Sequence, residues 1–418
     1  MQQKIVFAGV AASSFAKGSE LLDKLADLPV PAKQVERLSR AIGRERVAQR
    51  DEAVTAFVAL PLVEKFEAPA GVCPPELAVV EVDGGRLQIR ERDGRPAAQA
   101  EETPGEAEGG FDEGPPALGF WREDKLGTLL VMQSKVSVED PCPQIPPGFI
   151  DVLRIPNLAR QIGKVAAQQA DAADAPEVAA RPPDEGGGHE AAYQPPLLQR
   201  RNVVATCRPW WSFALLVASA AHAAGFQKAQ RQAFVGDGSA NNWRLHKRFF
   251  GSFVAVLDFI HALSYVYAAA MAGRPFDAGW ETYQRWITWV WQGEVARVIE
   301  ELRQRQAEVG LPLEGASETS VATVVARSLV YLSNHQDKMK YHEYRKAGLP
   351  LTSSLMESTV KQVNRRVKGT EKFWCGEGAE AIVQLRADYL SDDQPLDDFF
   401  EKRQRDASGQ RPYRRTAA

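Results

Sequence analysis

Leu77-Ala78-Val79-Val80-Glu81-Val82-Asp83 is a run of β-branched and other apolar residues that leads into Asp83-Gly84-Gly85. This composition predicts a buried β-strand that ends at Asp83. The residues that follow, Arg86-Leu-Gln-Ile-Arg90, alternate between polar and apolar, as in a half-exposed second strand.

Strand character returns later, at residues 126–133 and 201–206. The apolar segment from Trp210 to Gln230 is typical of a buried helix, and two short strands follow at 233–237 and 253–258. Strands joined through helices indicate a partly parallel sheet. The sequence therefore predicts an α/β fold with a mixed sheet.

Almost all of the chain between Ala262 and Gly348 has helical periodicity. One of these helices is rich in tryptophan, with side chains at Trp280, Trp286, Trp289 and Trp291. Tryptophans on helices usually pack in the interior, and the other interpretation is a platform that stacks unpaired bases.

Residues 14–58 also read as helices, with a break at Leu28-Pro-Val-Pro31. The helix after the break, over about 32–49, is rich in arginine. A helix, a short turn and an Arg-rich helix would suit a helix-turn-helix that docks in a DNA groove, and a plain helical hairpin is the alternative. The candidate DNA contacts in this helix are Arg37, Arg40 and Arg44.

Two segments, about 93–118 and 166–197, are rich in small residues and proline and poor in large apolar residues, which predicts flexible insertions. With these, the chain divides into five predicted parts. They are a helical DNA-end-binding region (1–60), a first part of the catalytic core (75–261), an α-helical insertion (262–350), a second part of the core (351–391) and a basic tail (392–418).

The composition narrows the class of protein. The 418 residues carry a net charge of −3 and have no apolar run long enough for a membrane span, and the first ten residues are too weakly apolar for a secretory signal. Four widely spaced cysteines without a CxxC pair argue against a zinc ribbon and favour a reducing cytoplasm.

Charge is unevenly distributed along the chain. Residues 338–372 carry nine Lys or Arg against three Asp or Glu, whereas residues 91–124 carry three against ten. The basic zone surrounds Glu357, which stands near the start of a predicted late helix. On that helix Lys361 shares the face of Glu357, and the predicted DNA-binding residues are Lys361, Asn364, Arg365, Arg366 and Lys368.

The order of the elements predicts where carboxylates meet. Antiparallel strands, a helix, parallel strands and a late helix are the order of an RNase H-like sheet, in which the first strand and the first parallel strand are neighbours. Asp83 and Asp237 would stand at the ends of those two strands, each followed by glycine, and Glu357 would face them from the late helix. Three carboxylates suit two hard cations, Mg²⁺ or Mn²⁺, held for phosphodiester chemistry.

The chain resembles the ISKra-type transposases of bacterial insertion sequences, relatives of the Mutator-like class. The resemblance is carried, in order, by Val82-Asp-Gly-Gly-Arg-Leu-Gln-Ile-Arg90, Ala233-Phe-Val-Gly-Asp-Gly238, Val256-Leu-Asp-Phe-Ile-His-Ala262, Tyr331-Leu-Ser-Asn-His335, Gly348-Leu-Pro-Leu-Thr-Ser-Ser354, Met356-Glu-Ser-Thr-Val-Lys-Gln-Val-Asn-Arg-Arg-Val-Lys-Gly369, Phe373-Trp374 and Ala381-Ile-Val-Gln-Leu-Arg-Ala-Asp-Tyr-Leu-Ser391. It implies an RNase H-like catalytic domain interrupted by an α-helical insertion, with Asp83, Asp237 and Glu357 as catalytic metal ligands.

The resemblance also implies a function: a DDE transposase that cuts and joins double-stranded DNA at transposon ends and target sites, as a homodimer or larger assembly. Asp258-Phe-Ile-His261 resembles a signature that follows the second aspartate in Mutator-like enzymes. Asp258 is the reserve for the second metal ligand, and His261 is either an auxiliary residue at the phosphate or a structural histidine. Two other functions stay open, an inactive or domesticated DNA-binding protein and a nuclease that cleaves without joining.

Overall fold

The computed structural model describes residues 1–90, 110–112, 120–162, 194–369 and 372–409. Most of the two predicted insertions, about 93–118 and 166–197, and the basic run 411–415 lie outside these residues.

A mixed, open sheet forms the centre of the described chain. Its strands are β1 (Leu77–Ile89), β2 (Trp121–Gln133), β3 (Leu197–Thr206), β4 (Arg231–Gly236), β5 (Val254–Leu257) and the short β6 (Phe373–Trp374). The order is β3-β2-β1-β4-β5, and β6 pairs with the far end of β1. β1, β2 and β3 are antiparallel neighbours, whereas β4 and β5 continue the sheet parallel to β1. The predicted α/β class with a mixed sheet is confirmed.

β1 differs from its prediction because it is one continuous strand and does not end at Asp83. Gly84 and Gly85 stay in the ladder, paired with Lys125 and Asp124 of β2. Glycine has no side chain to pack but keeps both backbone hydrogen-bonding groups, so a neighbouring strand can hold it in extended form. Asp83 therefore lies inside a strand.

The helices surround this sheet on both faces. They are α1 (Gln2–Ala11), α2 (Phe15–Ala26), α3 (Ala32–Ala59), α4 (Leu62–Lys65), α5 (Arg154–Gln161), α6 (Trp210–Ala223), α7 (Ala240–Phe249), α8 (Phe259–Met271), α9 (Phe276–Trp291), α10 (Val295–Val309), α11 (Val321–His335), α12 (Tyr341–Lys346), α13 (Ser354–Val367), α14 (Gly376–Leu390) and α15 (Pro395–Gly409).

Side chains of β1 alternate between two buried faces, as the pleat requires. Val80 and Val82 pack with α6 and α7. On the other face, Val79 packs with α8, and Leu87 packs with α13 and α14. Asp83 has the same parity as Val79 and Leu87, so it belongs to the face that α13 covers.

The N-terminal helices pack on the core through α14. A Cβ on Gly43 of α3 would lie 2.5 Å from the carbonyl oxygen of Ala381, so the two helices touch backbone to backbone. Further along α3, Arg46 pairs with Asp388 at 2.9 Å. The helix continues to Ala59, about ten residues beyond its predicted end, because its second half lies against the core.

Helices α8 to α12 fill the interval between β5 and α13. The interior interpretation of the tryptophans is confirmed for Trp286 and Trp291, which are almost completely buried, and Trp280 and Trp289 pack against the same cluster. Trp291 donates its indole N–H to the carbonyl oxygen of Cys142 at 2.8 Å.

The described part of the tail is not basic, contrary to the prediction. Residues 392–409 carry six Asp or Glu and three Lys or Arg. The segment is held by packing, with Leu396, Phe399 and Phe400 buried. Among the helices of the described ranges, none combines the length and the apolar character that crossing a membrane requires.

Candidate active site

Asp83 and Asp237 lie side by side where β1 runs past the end of β4. The parallel register reaches Glu81 opposite Val235, and β4 ends one residue later. Asp83 lies two residues after Glu81, and Asp237 lies two residues after Val235, so the two aspartates are neighbours. Asp83 Oδ1 accepts the N–H of Gly84 at 2.7 Å.

Asp237 is held by contacts from the loop after β4, from α7 and from α11. Its Oδ1 accepts the backbone N–H of Ser239 at 2.9 Å and the side-chain amide of Asn242 at 2.8 Å. The hydroxyl of Tyr331 donates to its backbone oxygen at 2.7 Å. Gly238 has a φ of 96°, and a Cβ there would lie 2.6 Å from the Tyr331 ring. Glycine is required at this turn both by conformation and by space.

Glu357 lies in the first turn of α13, the helix that covers this face of the sheet. Its half-buried side chain lies within electrostatic reach of Asp83, Asp258 and His261. The structure thus brings Glu357 into the same cluster as Asp83 and Asp237. α13 has no capping hydrogen bond from the side chain of its own N-cap residue, Ser353.

Asp258 is fully buried, and both of its carboxylate oxygens already accept hydrogen bonds. Oδ1 caps α8 by accepting the N–H of Ile260 at 2.6 Å. Oδ2 accepts the backbone N–H of Ser353 at 2.9 Å and also the Ser353 hydroxyl. Burial acts to raise the pKa of Asp258, but His261 and Ser353 outweigh it and hold that pKa below its usual value.

The charge of His261 interacts with Asp258 and with the two aspartates Asp83 and Asp237. Its Nδ1 lies 3.7 Å from Asp258 Oδ2, an ion-pair distance that is too long for a hydrogen bond. Burial acts to lower the pKa of His261, yet the negative charges of Asp258, Asp237 and Asp83 raise it to about 9. The imidazole is therefore cationic at neutral pH and faces an acidic cluster.

The carboxylates of the cluster repel one another in a partly dry environment. Burial raises the pKa of Asp83 to about 6, and the negative charges of Asp237 and Glu357 add to the effect. Burial likewise raises the pKa of Glu357, with a further contribution from Asp258. Groups that resist ionisation in this way are frequent at functional sites.

Glu81 is a member of the cluster that the sequence interpretation missed. It is 1% exposed and points to the same face of β1 as Asp83. It accepts the hydroxyl of Thr128 at 3.2 Å. Burial raises its pKa to about 8. Its spacing of two residues from Asp83, within an otherwise apolar strand, is the signal that could have identified it.

A second acidic position lies on the β2 side of Asp83. Asp124 is fully buried, and neither of its carboxylate oxygens has a hydrogen-bond partner among the described residues; the same holds for Asn364 Oδ1. Asp124 Oδ1 and Asn364 Oδ1 each lie 2.8 Å from the point where a Cβ of Gly85 would stand. Burial raises the pKa of Asp124 to about 6.

The predicted basic residues of α13 divide between surface and interior. Lys361, Arg365 and Lys368 are exposed and, at intervals of four and three residues, follow one stripe of the helix. Asn364 instead turns inward over Gly85. Arg366 is 2% exposed and donates to the carbonyl oxygen of Gly9 at 3.1 Å, so its assignment to the DNA-binding surface is wrong.

The three predicted contacts on α3 are likewise not equivalent. Arg37 and Arg44 are exposed. Arg40 is half-buried and pairs with Glu36 at 2.8 Å, one turn earlier on the same helix. Of the three, only Arg37 and Arg44 are therefore accessible to a binding partner.

The donor chemistry of the cluster suits Mg²⁺ or Mn²⁺, because Asp83, Asp237 and Glu357 offer only carboxylate oxygen, the ligand that hard cations prefer. Cations would also offset the negative charges of Asp237 and Glu357, which add to the effect of burial on the pKa of Asp83. Across the described ranges, however, no three His, Cys, Asp or Glu side chains are grouped closely enough to hold one ion as they stand. Coordination would therefore draw the carboxylates closer together.

Comparison with the profiles of known protein families and with curated proteins finds no match for this chain.

Proposed function

We propose that the chain is a DDE-type DNA transposase, which cuts DNA strands at the ends of an insertion sequence and joins them to a target. The observation that carries the proposal is that Asp83, Asp237 and Glu357 lie in one region of the structure, near enough for the charges of Asp237 and Glu357 to act on Asp83. They come from the middle strand of the sheet, from just after the end of its parallel neighbour and from the first turn of α13. The resemblance to ISKra-type enzymes assigns catalytic metal binding to the same three residues.

The sheet supports this proposal through its topology. The order β3-β2-β1-β4-β5, with three antiparallel strands followed by two parallel ones, is the order expected of an RNase H-like domain. An all-helical segment, α8 to α12, stands before the helix of Glu357, as the resemblance implies.

Asp237 is preferred over Asp258 as the second ligand. Both oxygens of Asp258 accept hydrogen bonds, and the side chain is sealed from solvent. Asp237 is half-buried and stands beside Asp83. Asp258 is better suited to positioning His261 and α13.

Asp83, Asp237 and Glu357 would hold the two cations, which when bound lower the pKa of the attacking water or 3′-hydroxyl and stabilise the leaving oxygen. His261, close to Asp258 at the edge of the cluster, would contact the scissile phosphate. The exposed stripe of Lys361, Arg365 and Lys368 would bind the DNA backbone beside them. A cytoplasmic, nucleoid-associated homodimer or larger assembly fits a reaction on two DNA ends.

The test incubates the purified protein with DNA from the flanks of its own coding sequence, searched for inverted repeats, and with Mg²⁺ or Mn²⁺. We expect strand cleavage followed by joining. Asp83→Asn and Glu357→Gln should remove both activities, whereas Glu300→Gln, an exposed carboxylate on α10, should leave them unchanged.

Other outcomes separate the alternatives. Cleavage without joining would indicate a nuclease, and specific binding without cleavage an inactive DNA-binding protein. Wild-type cleavage by Glu357→Gln would reject the site itself.

A further inference from the structure

The turn after β4 leaves the sheet at the residue that is the second proposed metal ligand. Pairing of β4 with β5 ends at Gly236, opposite Leu257, and the carbonyl oxygen of Gly236 accepts the N–H of Asp258 at 2.9 Å. The next carbonyl oxygen, that of Asp237, lies beyond the paired strands. A backbone carbonyl that no strand reaches takes its hydrogen bond from another part of the fold.

The donor to this carbonyl is Tyr331 of α11. Its hydroxyl lies 2.7 Å from the backbone oxygen of Asp237. Its ring lies over Gly238, where an added Cβ would be 2.6 Å from it. Tyr331 therefore contacts the turn twice, at the peptide group after Asp237 and at the next residue. Because these two contacts restrict the backbone on that side of Asp237, they also restrict the direction in which its side chain leaves the chain.

Tyr331 is itself fixed by the packing of α11 on α8. Its ring stacks on Tyr265, with 3.7 Å between the ring centroids and 14° between the planes. One turn earlier on α11, the hydroxyl of Ser328 donates to the backbone oxygen of Tyr265 at 3.2 Å. Tyr265 and Ser328 are both buried. The position of the Tyr331 hydroxyl thus depends on the all-helical segment between β5 and α13.

The carboxylate of Asp237 is tied to the protein through one oxygen. Oδ1 accepts the N–H of Ser239 and the side-chain amide of Asn242. From the residues that the structure describes, no hydrogen bond reaches Oδ2. Hard cations bind carboxylate oxygen, so Oδ2 is the atom that would ligate one. Its direction is set by the backbone at Asp237, which Tyr331 holds.

We propose that Tyr331 is a positioning residue, which holds the Asp237 carboxylate beside Asp83 through the backbone of the turn. The all-helical segment then shapes the metal site together with the sheet. The role rests on the proposed function for its effect on metal binding, but the contact itself can be measured without metal or DNA. Tyr331 touches neither substrate nor cation.

A matched pair of substitutions separates positioning from general stability. Tyr331→Phe removes the hydroxyl and keeps the ring on Tyr265, so the variant should fold. The control is Tyr283→Phe, in α9 of the same helical segment, whose hydroxyl donates to the backbone oxygen of Phe149, also at 2.7 Å. Each variant loses one hydrogen bond from a tyrosine to a backbone oxygen, so we expect similar decreases in the urea midpoint. A merely structural role would make the two variants alike in every other measurement.

The experiment measures hydrogen exchange by mass spectrometry in peptides covering residues 235–242 of the full chain, without metal or DNA. We expect exchange of the turn amides, Ser239 among them, to be about tenfold faster in Tyr331→Phe and unchanged in the control. Unchanged exchange in Tyr331→Phe, or an equal increase in the control, would overturn the proposal. If Tyr331→Phe does not fold, Tyr265→Leu decides, because it removes the stacked ring and should also speed exchange in the turn.

The same variants are then assayed for DNA cleavage over a range of Mg²⁺ concentrations. Residues that support a metal ligand typically contribute about 10- to 100-fold in metal affinity or activity. We expect Tyr331→Phe to need about tenfold more Mg²⁺ for half-maximal cleavage and to approach the wild-type rate at saturating Mg²⁺, because the ligand is displaced but still present. The control should follow the wild type.

Two results of the cleavage assay have different meanings. A wild-type Mg²⁺ requirement in Tyr331→Phe would overturn the positioning role. Absence of cleavage by the wild type, with the exchange pattern as expected, would instead reject the proposed function and support the contact between Tyr331 and Asp237.

Discussion

Individual residues of the cluster show how burial and charge act together. Burial raises the pKa of Asp83, with the negative charges of Asp237 and Glu357 adding to the effect, and His261 provides a neighbouring positive charge. Without cations, the site holds more negative charge than its surroundings compensate. Such an arrangement stores unfavourable energy that a bound cation would release.

Gly238 is the residue whose backbone most constrains the site. Its φ of 96° and the Tyr331 ring, 2.6 Å from an added Cβ, both oppose a side chain. We expect Gly238→Ala to lower the free energy of unfolding by about 1–3 kcal/mol from backbone strain, with the steric clash adding to the loss. Urea denaturation measures this.

Gly71→Ala is the matched control for Gly238→Ala. Gly71 has a similar φ of 82° with no atom within 4 Å of an added Cβ, so that substitution retains only the strain. Equal losses in the two variants would show that contact with Tyr331 does not matter.

Asp124 gives a pH-dependent prediction. Burial raises its pKa from 3.8 to about 6, so the folded state binds this proton more tightly than the unfolded chain does. The stabilising effect is complete below pH 3.8 and is lost as the pH rises to about 6. We expect Asp124→Asn to be more stable than the wild type above pH 6, by up to about 3 kcal/mol, with the difference shrinking towards pH 4.

Urea denaturation between pH 4.5 and 8 tests the Asp124 prediction. A wild type that is the more stable of the two at pH 8 would contradict it. That result would mean that the carboxylate has a favourable partner in solution.

At the scale of elements, α13 presents three different sets of side chains to its surroundings. One face packs Met356, Val363 and Val367 into the core. Its first turn carries Glu357, and a third face bears the exposed basic stripe. The helical repeat explains the division, since residues three and four apart share a face.

The basic stripe predicts a salt dependence of DNA binding. Each neutralised phosphate contributes a slope of about −0.9 to the plot of log affinity against log salt concentration. We expect Lys361→Gln with Arg365→Gln to flatten the slope by about 2 units, measured by fluorescence anisotropy between 50 and 200 mM salt. The control combines Arg303→Gln and Lys402→Gln, exposed residues outside the stripe. An equal change in the control would indicate a nonspecific charge effect.

Packing against the core also decides which arginines of the N-terminal helix α3 are exposed. Arg46 of α3 binds Asp388, and Arg50 binds Glu380 at 2.8 Å, so these two arginines of the helix face the protein interior. Of the three predicted DNA contacts on α3, only Arg37 and Arg44 are exposed. Counting arginines along the helix therefore overestimates the surface that it offers to DNA.

At the scale of the whole molecule, the site joins parts of the chain that are distant in sequence. Asp83 and Glu357 are separated by most of the described chain, so a cation bound between them would stabilise the complete fold. We expect Mg²⁺ at millimolar concentration to raise the melting temperature by about 3 °C. Asp83→Asn should melt higher than the wild type without metal, because one repulsive charge is gone, and should lose the response to Mg²⁺.

Differential scanning fluorimetry at constant ionic strength measures the response to Mg²⁺. An undiminished Mg²⁺ shift in Asp83→Asn would show that the ion binds elsewhere.

The sequence by itself determined the parts that depend on local pattern. Strand and helix positions follow from hydrophobic periodicity, and the runs at 77–83 and 233–237 predicted the neighbouring strands β1 and β4. Glu357 was placed correctly near the start of its helix for the same reason. The predicted end of the strand at Asp83 is wrong, because pairing with β2 keeps Gly84 and Gly85 extended, and that pairing is not visible in the local sequence.

Only the tertiary structure decided the surroundings of each charge. Arg366 and Lys361 look alike in the sequence, but one packs inside the protein and the other faces solvent. Asp258 accepts hydrogen bonds from Ser353, at the start of α13, because the start of α8 meets α13 in space. Burial and hydrogen bonding between residues far apart in the chain set those roles, and no pattern of neighbouring residues records them.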